Sequence, residues 1–157
     1  MYYCKNKKLA QNIRLNNRRL RMSAYIELLK NLVACPLDEK MILNPLDADS
    51  FLESMRGAES NQITYRCSFN DKAQLREIIN RHCLMTQPHL LFTHYSEECG
   101  PLKLPSLIDF NWDFKFDAEP SGLIVFYSID KSYQLVLDYY NEQDKKQIDM
   151  KFIEFAS

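Results

Sequence analysis

Glycine is scarce in this chain, with three among 157 residues, and proline, histidine and tryptophan number only six, three and one. So little glycine and proline excludes collagen-like and low-complexity material. The glycine-spaced motifs that cradle phosphates or present a serine nucleophile, GxGxxG, GxxxxGK[ST] and GxSxG, do not occur, and neither does HExxH, so nucleotide and hydrolase readings lack their usual support. Long apolar runs are missing too. No stretch approaches 18 consecutive apolar residues, so no transmembrane helix is expected. The opening MYYCKNKKLAQNIRLNNRRLRM has basic residues but no apolar run of seven or more after them, so secretory export is not expected either. The five cysteines, Cys4, Cys35, Cys67, Cys83 and Cys99, are odd in number and scattered. That pattern fits reduced thiols in a cytoplasmic protein better than a disulfide framework.

What is present is ordinary globular composition, 46% hydrophobic and 26% charged. A chain of this length fits one domain spanning 1–157 and buries roughly 68–70% of its unfolded surface without staples. The net charge of −1 hides a strong polarity along the chain. Residues 1–30 carry eight Lys and Arg against one acid, 31–90 carry six against eight, and 91–157 carry six against twelve. A basic first helix can complement an acidic body in the same molecule, or residues 1–22 can form a separate basic N-terminal arm.

Leu9, Ile13, Leu20, Ala24, Leu28 and Leu32 recur at helical spacing and predict an amphipathic helix from about Ala10 to Ala34, ended by Pro36. Ser23 could restart it as an N-cap. Asp47 or Asp49 is placed to cap a short helix over Ser50–Met55. Ile63–Phe69 alternates as a half-buried strand, and Asn70 or Asp71 caps a helix over Lys72–Leu84 whose inward face is Leu75, Ile78, Ile79 and Cys83. LLFTHY reads as a short strand and SEECGPLKLP as a turn-rich connector. Four further strands are expected, FNWDFKFD, LIVFYSI, YQLVLDYYNE and IDMKFIEF, joined by hairpin-length turns. The fold class is therefore α+β, with two or three helices packed on a mainly antiparallel sheet ending in a four-strand meander. Trp112, between Phe110 and Phe114, is expected to be core.

Few residues suggest chemistry. His82, Cys83, His89, His94 and Cys99 are metal-ligating types, but every one stands singly, without the paired CxxC or HxxxH spacing of a structural zinc site. Cys83 beside His82 on a helix points about 100° away from it, which is poor geometry for a nucleophile and its base. Asp113 and Asp117 share a face of the expected strand with Lys115 between them, the pattern of a solvated charged face. No metal or cofactor is therefore expected. A small nucleic-acid-processing enzyme built on Asp113, Asp117 and a histidine is the different-class alternative, and needs those groups to converge. The basic run Lys5, Lys7, Lys8, Arg14, Arg18, Arg19 and Arg21 could neutralise phosphates, but the acidic remainder would repel a polyanion, so nucleic acid is not the expected partner.

Tyrosine among carboxylates is the remaining signal. Tyr127, Tyr133, Tyr139 and Tyr140 lie in the meander, and alternation alone sends half of these rings inward. An exposed set comprising Asp130, Asp138, Tyr139, Tyr140, Glu142 and Asp144 would take Arg and Lys side chains by ion pairing and stacking, and forms the candidate partner-binding surface.

The strands FNWDFKFD, GLIVFY and YQLVLDYYNE, preceded by helices in a small chain, resemble the immunity proteins of bacterial contact-dependent growth inhibition systems over about residues 63–157. That resemblance implies an inhibitor that binds a toxin domain, commonly a basic nuclease, inside the producing cell. It carries over no individual residue. LPSLIDFNWDF is in turn similar to the Leu-then-Trp opening of the COMM domain, a eukaryotic adaptor module. The chain departs from that pattern where QIDMKFIEF reads as a strand in place of a closing helix.

Overall fold

The computed structural model describes residues 2–156, with side chains from Asn6 onward. The Cys4 thiol and the Lys5 ammonium counted above lie outside the described side chains. The elements run α1 (Tyr2–Leu32), α2 (Pro45–Glu53), β1 (Ser60–Ser68), α3 (Lys72–His82), β2 (His89–Phe92), α4 (Ser96–Cys99), β3 (Leu102–Leu104), β4 (Leu123–Ser128), β5 (Tyr133–Glu142) and β6 (Lys145–Phe155), with 3-10 turns at Glu39–Met41 and Leu107–Asp109. All six strands join one antiparallel sheet in the order β1-β6-β5-β4-β2-β3. The α+β class and the antiparallel sheet match the sequence reading.

α1 is continuous through Ser23, which stays exposed within the helix and does not restart it. No Gly or Pro interrupts residues 1–35, so nothing in the backbone forces a break there. Its two halves differ. Tyr25, Leu28, Leu29 and Leu32 are buried on one face, whereas Leu9, Ile13 and Leu20 remain 58%, 53% and 72% exposed. The basic half is held by polar contacts instead. Arg14 donates to Asp49 and to the carbonyl of Glu97 (2.8 Å), Arg18 donates to the carbonyl of Cys99 (3.2 Å), and Arg21 lies 3.8 Å from Glu98. The arginines thus complement α2 and the carbonyl end of α4, and do not reach the sheet.

α2 begins five residues before the expected Ser50. Asn44 accepts the N–H of Leu46 (2.9 Å) and Pro45 occupies the first turn, so Asn-Pro, and neither Asp47 nor Asp49, sets the start. α3 follows the sequence reading closely: Asp71 accepts from the Gln74 N–H (3.1 Å), and Leu75, Ile78, Ile79 and Cys83 are buried. The expected connector at 96–105 forms α4 and β3. Gly100 lies between them at φ +95, where a β-carbon would overlap the Leu43 carbonyl oxygen.

The strand expected at FNWDFKFD is absent, and this is the main correction to the meander. Residues 111–120 form turns. The Asn111 side chain accepts the Asp113 N–H (3.2 Å), its carbonyl accepts from Phe114 N–H (3.1 Å), and Lys115 and Ala118 close another turn. Local bonds of this kind divert the backbone from a ladder. The segment also caps α1: the Asn111 N–H donates to the Leu32 carbonyl (2.7 Å), and Ala34 N–H donates to Asp109 (2.6 Å). Phe110, Trp112 and Phe114 nevertheless all point inward, with Trp112 only 7% exposed and its Nε1 donating to the Leu107 carbonyl (2.9 Å). The consecutive meander is therefore β4-β5-β6, and β1 supplies the fourth neighbour.

One hydrophobic cluster joins the inward half of α1, α3, the 110–116 turns and the inner sheet face carrying Ile124, Phe126, Leu135, Leu137, Tyr139, Ile148, Met150 and Phe152. Among the described residues, the outer face is covered at the β2/β4 end, where Phe51 of α2 meets Tyr127 edge-on at 6.0 Å and Phe92 meets the same ring at 5.5 Å.

Candidate partner-binding surface

Strand alternation separates the six candidate residues. Tyr139 points inward, is 4% exposed and donates its hydroxyl to the Glu119 carbonyl (2.8 Å), so it belongs to the core. Asp130 sits in the β4-β5 turn, where it accepts from the Ser132 N–H (3.0 Å) and hydroxyl (2.7 Å). Those bonds hold its carboxyl below the usual range. Asp144 occupies the opposite hairpin, a two-residue turn with Gln143 and Asp144 at φ 50 and 65. The ten residues of β5 put these two acids about 30 Å apart. Asp138, Tyr140 and Glu142 alone share the outer face of one strand.

Their neighbours come from strands remote in sequence. Asp138 faces Asp149 directly across β5-β6, and Asp149 in turn faces Arg66 across β6-β1. Asp149 Oδ1 accepts from Arg66 Nε (2.8 Å) and from the Tyr140 hydroxyl (3.1 Å), while Oδ2 accepts from Arg66 Nη2 (3.4 Å). Arg66 also lies 3.7 Å from Glu142 and holds its guanidinium 5.7 Å from the centre of the Tyr140 ring. Desolvation first, and the Asp149 bond second, raise the Tyr140 hydroxyl above its ordinary pKa. The Asp149 hydrogen bond is the main cause that raises Arg66 further still. Asp149 is thus satisfied on both oxygens, whereas among the described residues no ion pair or side-chain hydrogen bond engages Asp138.

The six residues expected from the sequence to form one exposed set do not share a face, and Tyr139 is buried. Tyr133 and Tyr139 are core residues and Tyr127 lies beneath Phe51 and Phe92, which leaves Tyr140 as the half-exposed ring of the open face. On the uncovered outer surfaces of β5, β6 and β1, Asp138, Glu142 and Asp149 are matched by Lys145, Lys151 and Arg66. Arg66 and Asp149 are the two residues of this constellation that the strand patterns alone did not single out, because their partnership depends on β1 pairing with β6.

The histidines go elsewhere. His82 Nε2 lies 3.0 Å from the Tyr65 hydroxyl, buried His89 joins the Tyr133 hydroxyl through Nε2 and the Gln87 carbonyl through Nδ1 (2.8 Å), and the His94 ring packs on Tyr95. Asp113 pairs with Arg76. Buried Glu119 accepts from His94 N–H (2.8 Å), Ser121 hydroxyl (2.5 Å) and Leu123 N–H (3.3 Å), a fully occupied carboxylate that ties the 119–123 turn to the segment between β2 and α4. The convergence of Asp113, Asp117 and a histidine that hydrolysis would need is not among these contacts.

No protein-family profile matches this chain, and comparison with curated proteins and with solved structures likewise finds no match. Among the described residues, no helix is long and apolar enough to cross a membrane.

Proposed function

We propose that this chain is a binding protein of the immunity class, which acts in the cytoplasm by holding a basic, nuclease-type toxin domain on the open half of its outer sheet face. The observation that carries the reading is the unshared carboxylate of Asp138. Two acids directly opposite on neighbouring strands repel one another, and here Arg66 and the Tyr140 hydroxyl engage Asp149 and leave Asp138 without a partner among the described residues. An Arg or Lys from a partner would complete the charge balance at Asp138, with the Tyr140 ring beside it as a rigid amphipathic contact. Glu142 and the hairpin-tip Asp144 extend the acidic side of the same end of the sheet. The surrounding lysines make the face selective in register more than strongly attractive, since mixed charge fixes orientation and rejects mismatched partners.

The reading requires a basic toxin domain encoded beside this chain's gene, and co-expression with that domain tests it. The unaltered chain is expected to restore growth, and the double variant Asp138→Lys, Tyr140→Ala to fail while remaining folded. Equal protection by both chains, or none by either, refutes it.

A further inference from the structure

The sheet ends on one side in the short β3, beside which Ile42 bridges Leu102, and on the other in the nine-residue β1, whose only strand neighbour among the described residues is β6. The ladder fixes which groups of β1 are free. Phe69 N–H donates to Lys146 (2.9 Å) and Ala156 N–H to Glu59 (2.8 Å), so odd-numbered residues of this strand exchange bonds with β6. The main-chain groups of Gln62, Thr64 and Arg66 therefore point away from the sheet, whereas the Ser68 carbonyl accepts from the Asp71 N–H (3.0 Å). Such an edge is usually blunted by proline, lysine, a bulge or a covering element. β1, with the sequence SNQITYRCS, has no proline or lysine, and its single charge, Arg66, is engaged by Asp149 and Glu142 on the outer face. Beside it, Ile63 and Leu84, each 50% exposed, line a cleft of about 370 Å³ with Phe152 and Phe155.

We infer that β1 pairs with β1 of a second copy of this chain, antiparallel about a twofold axis at Thr64, to form a continuous twelve-stranded sheet. The strand is self-complementary in that register. Thr64 meets Thr64, a favourable cross-strand pair, and Gln62 meets Arg66, so no like charges oppose each other. On the inner side Ile63 meets Tyr65, which covers apolar surface next to the cleft. The outward-pointing main-chain groups of each strand find their donors and acceptors in the other, the geometry of strand addition. This pairing uses the sheet edge and is independent of the partner surface around Asp138.

Sedimentation velocity from micromolar to hundreds of micromolar protein tests the inference. A concentration-dependent dimer is expected, and Thr64→Lys, which sets two ammonium groups opposite each other, should raise its dissociation constant roughly tenfold or more with the circular dichroism spectrum unchanged. In a parallel experiment, Thr64→Cys should oxidise to a covalent dimer, because hydrogen-bonded antiparallel pairs stand about 5.5 Å apart between α-carbons, within disulfide range. A monomer at every concentration overturns the proposal, which would leave the edge to an extended partner peptide or to water. So does a dimer unaffected by Thr64→Lys, or a Thr64→Cys chain that crosslinks no faster than an Asn80→Cys control on α3.

Discussion

Asp138 and Asp149 stand opposite each other across β5 and β6, yet only Asp149 is neutralised within the chain. The asymmetry separates stability from the proposed binding role. Asp138→Asn relieves a like-charge pair and should leave the fold unchanged or more stable by about 0.2–1 kcal/mol. Asp149→Ala strips both Arg66 and Tyr140 of their acceptor and should destabilise. Urea midpoints at constant m-value measure the difference.

Tyr139 and Tyr140 are adjacent in sequence and opposite in role. Tyr139→Phe leaves the Glu119 carbonyl without its buried donor and should cost about 1–3 kcal/mol. Tyr140→Phe removes a half-exposed bond to an acid that keeps Arg66, and should change stability by less than about 0.5 kcal/mol. A larger loss at Tyr140 than at Tyr139 would reverse the assignment of the two faces.

Trp112→Ala should cost about 3–5 kcal/mol as the truncation of a large core side chain, and Trp112→Phe should still lose the hydrogen bond to Leu107. Trp112 also shows what the sequence made legible. The place of Trp112 between Phe110 and Phe114 correctly marked it as core, because the turns that replace the expected strand still send all three rings inward. It did not mark the backbone state, because Asn111 closes a local turn that competes with strand pairing. α3 was legible for the opposite reason: Asp71, the apolar spacing and the length all point to one answer.

The candidate site was legible only in part. Alternation along β5 is local, so the opposition of Tyr139 and Tyr140 could have been read from their adjacency. The contact of Arg66 with Asp149 spans 83 positions and depends on β1 pairing with β6, a choice that no local pattern encodes. The covering of Tyr127 by Phe51 likewise depends on where α2 docks, and the exposed Leu9, Ile13 and Leu20 show that apolar spacing on a helix does not guarantee burial.

Stability should also carry a signature of His89. Burial is the main cause that lowers its pKa below the ordinary 6.5, so above that pH the ring is neutral in both folded and unfolded chains and the full stability is present. As pH falls below about 6.5 the unfolded chain takes up a proton that the folded chain resists, and stability declines until the folded ring also titrates. His89→Gln should flatten this decline in urea midpoints taken between pH 8 and 5. Asp130, held below its ordinary 3.8, contributes only at more acid pH and leaves that window undisturbed.

Asp138 is the carboxylate that, in the proposed function, a basic partner completes. Binding kinetics against the toxin domain that the proposal requires, at low and high salt, test it. Asp138→Lys, which places a like charge against the partner cation, should weaken affinity by about 2–5 kcal/mol, chiefly through faster dissociation, whereas Asp130→Lys at the far end of the sheet should alter little beyond the salt dependence of association. Unchanged affinity for Asp138→Lys, together with loss of binding on altering Lys7, Lys8 and Arg19 of α1, would contradict the account and make the basic helix the functional surface.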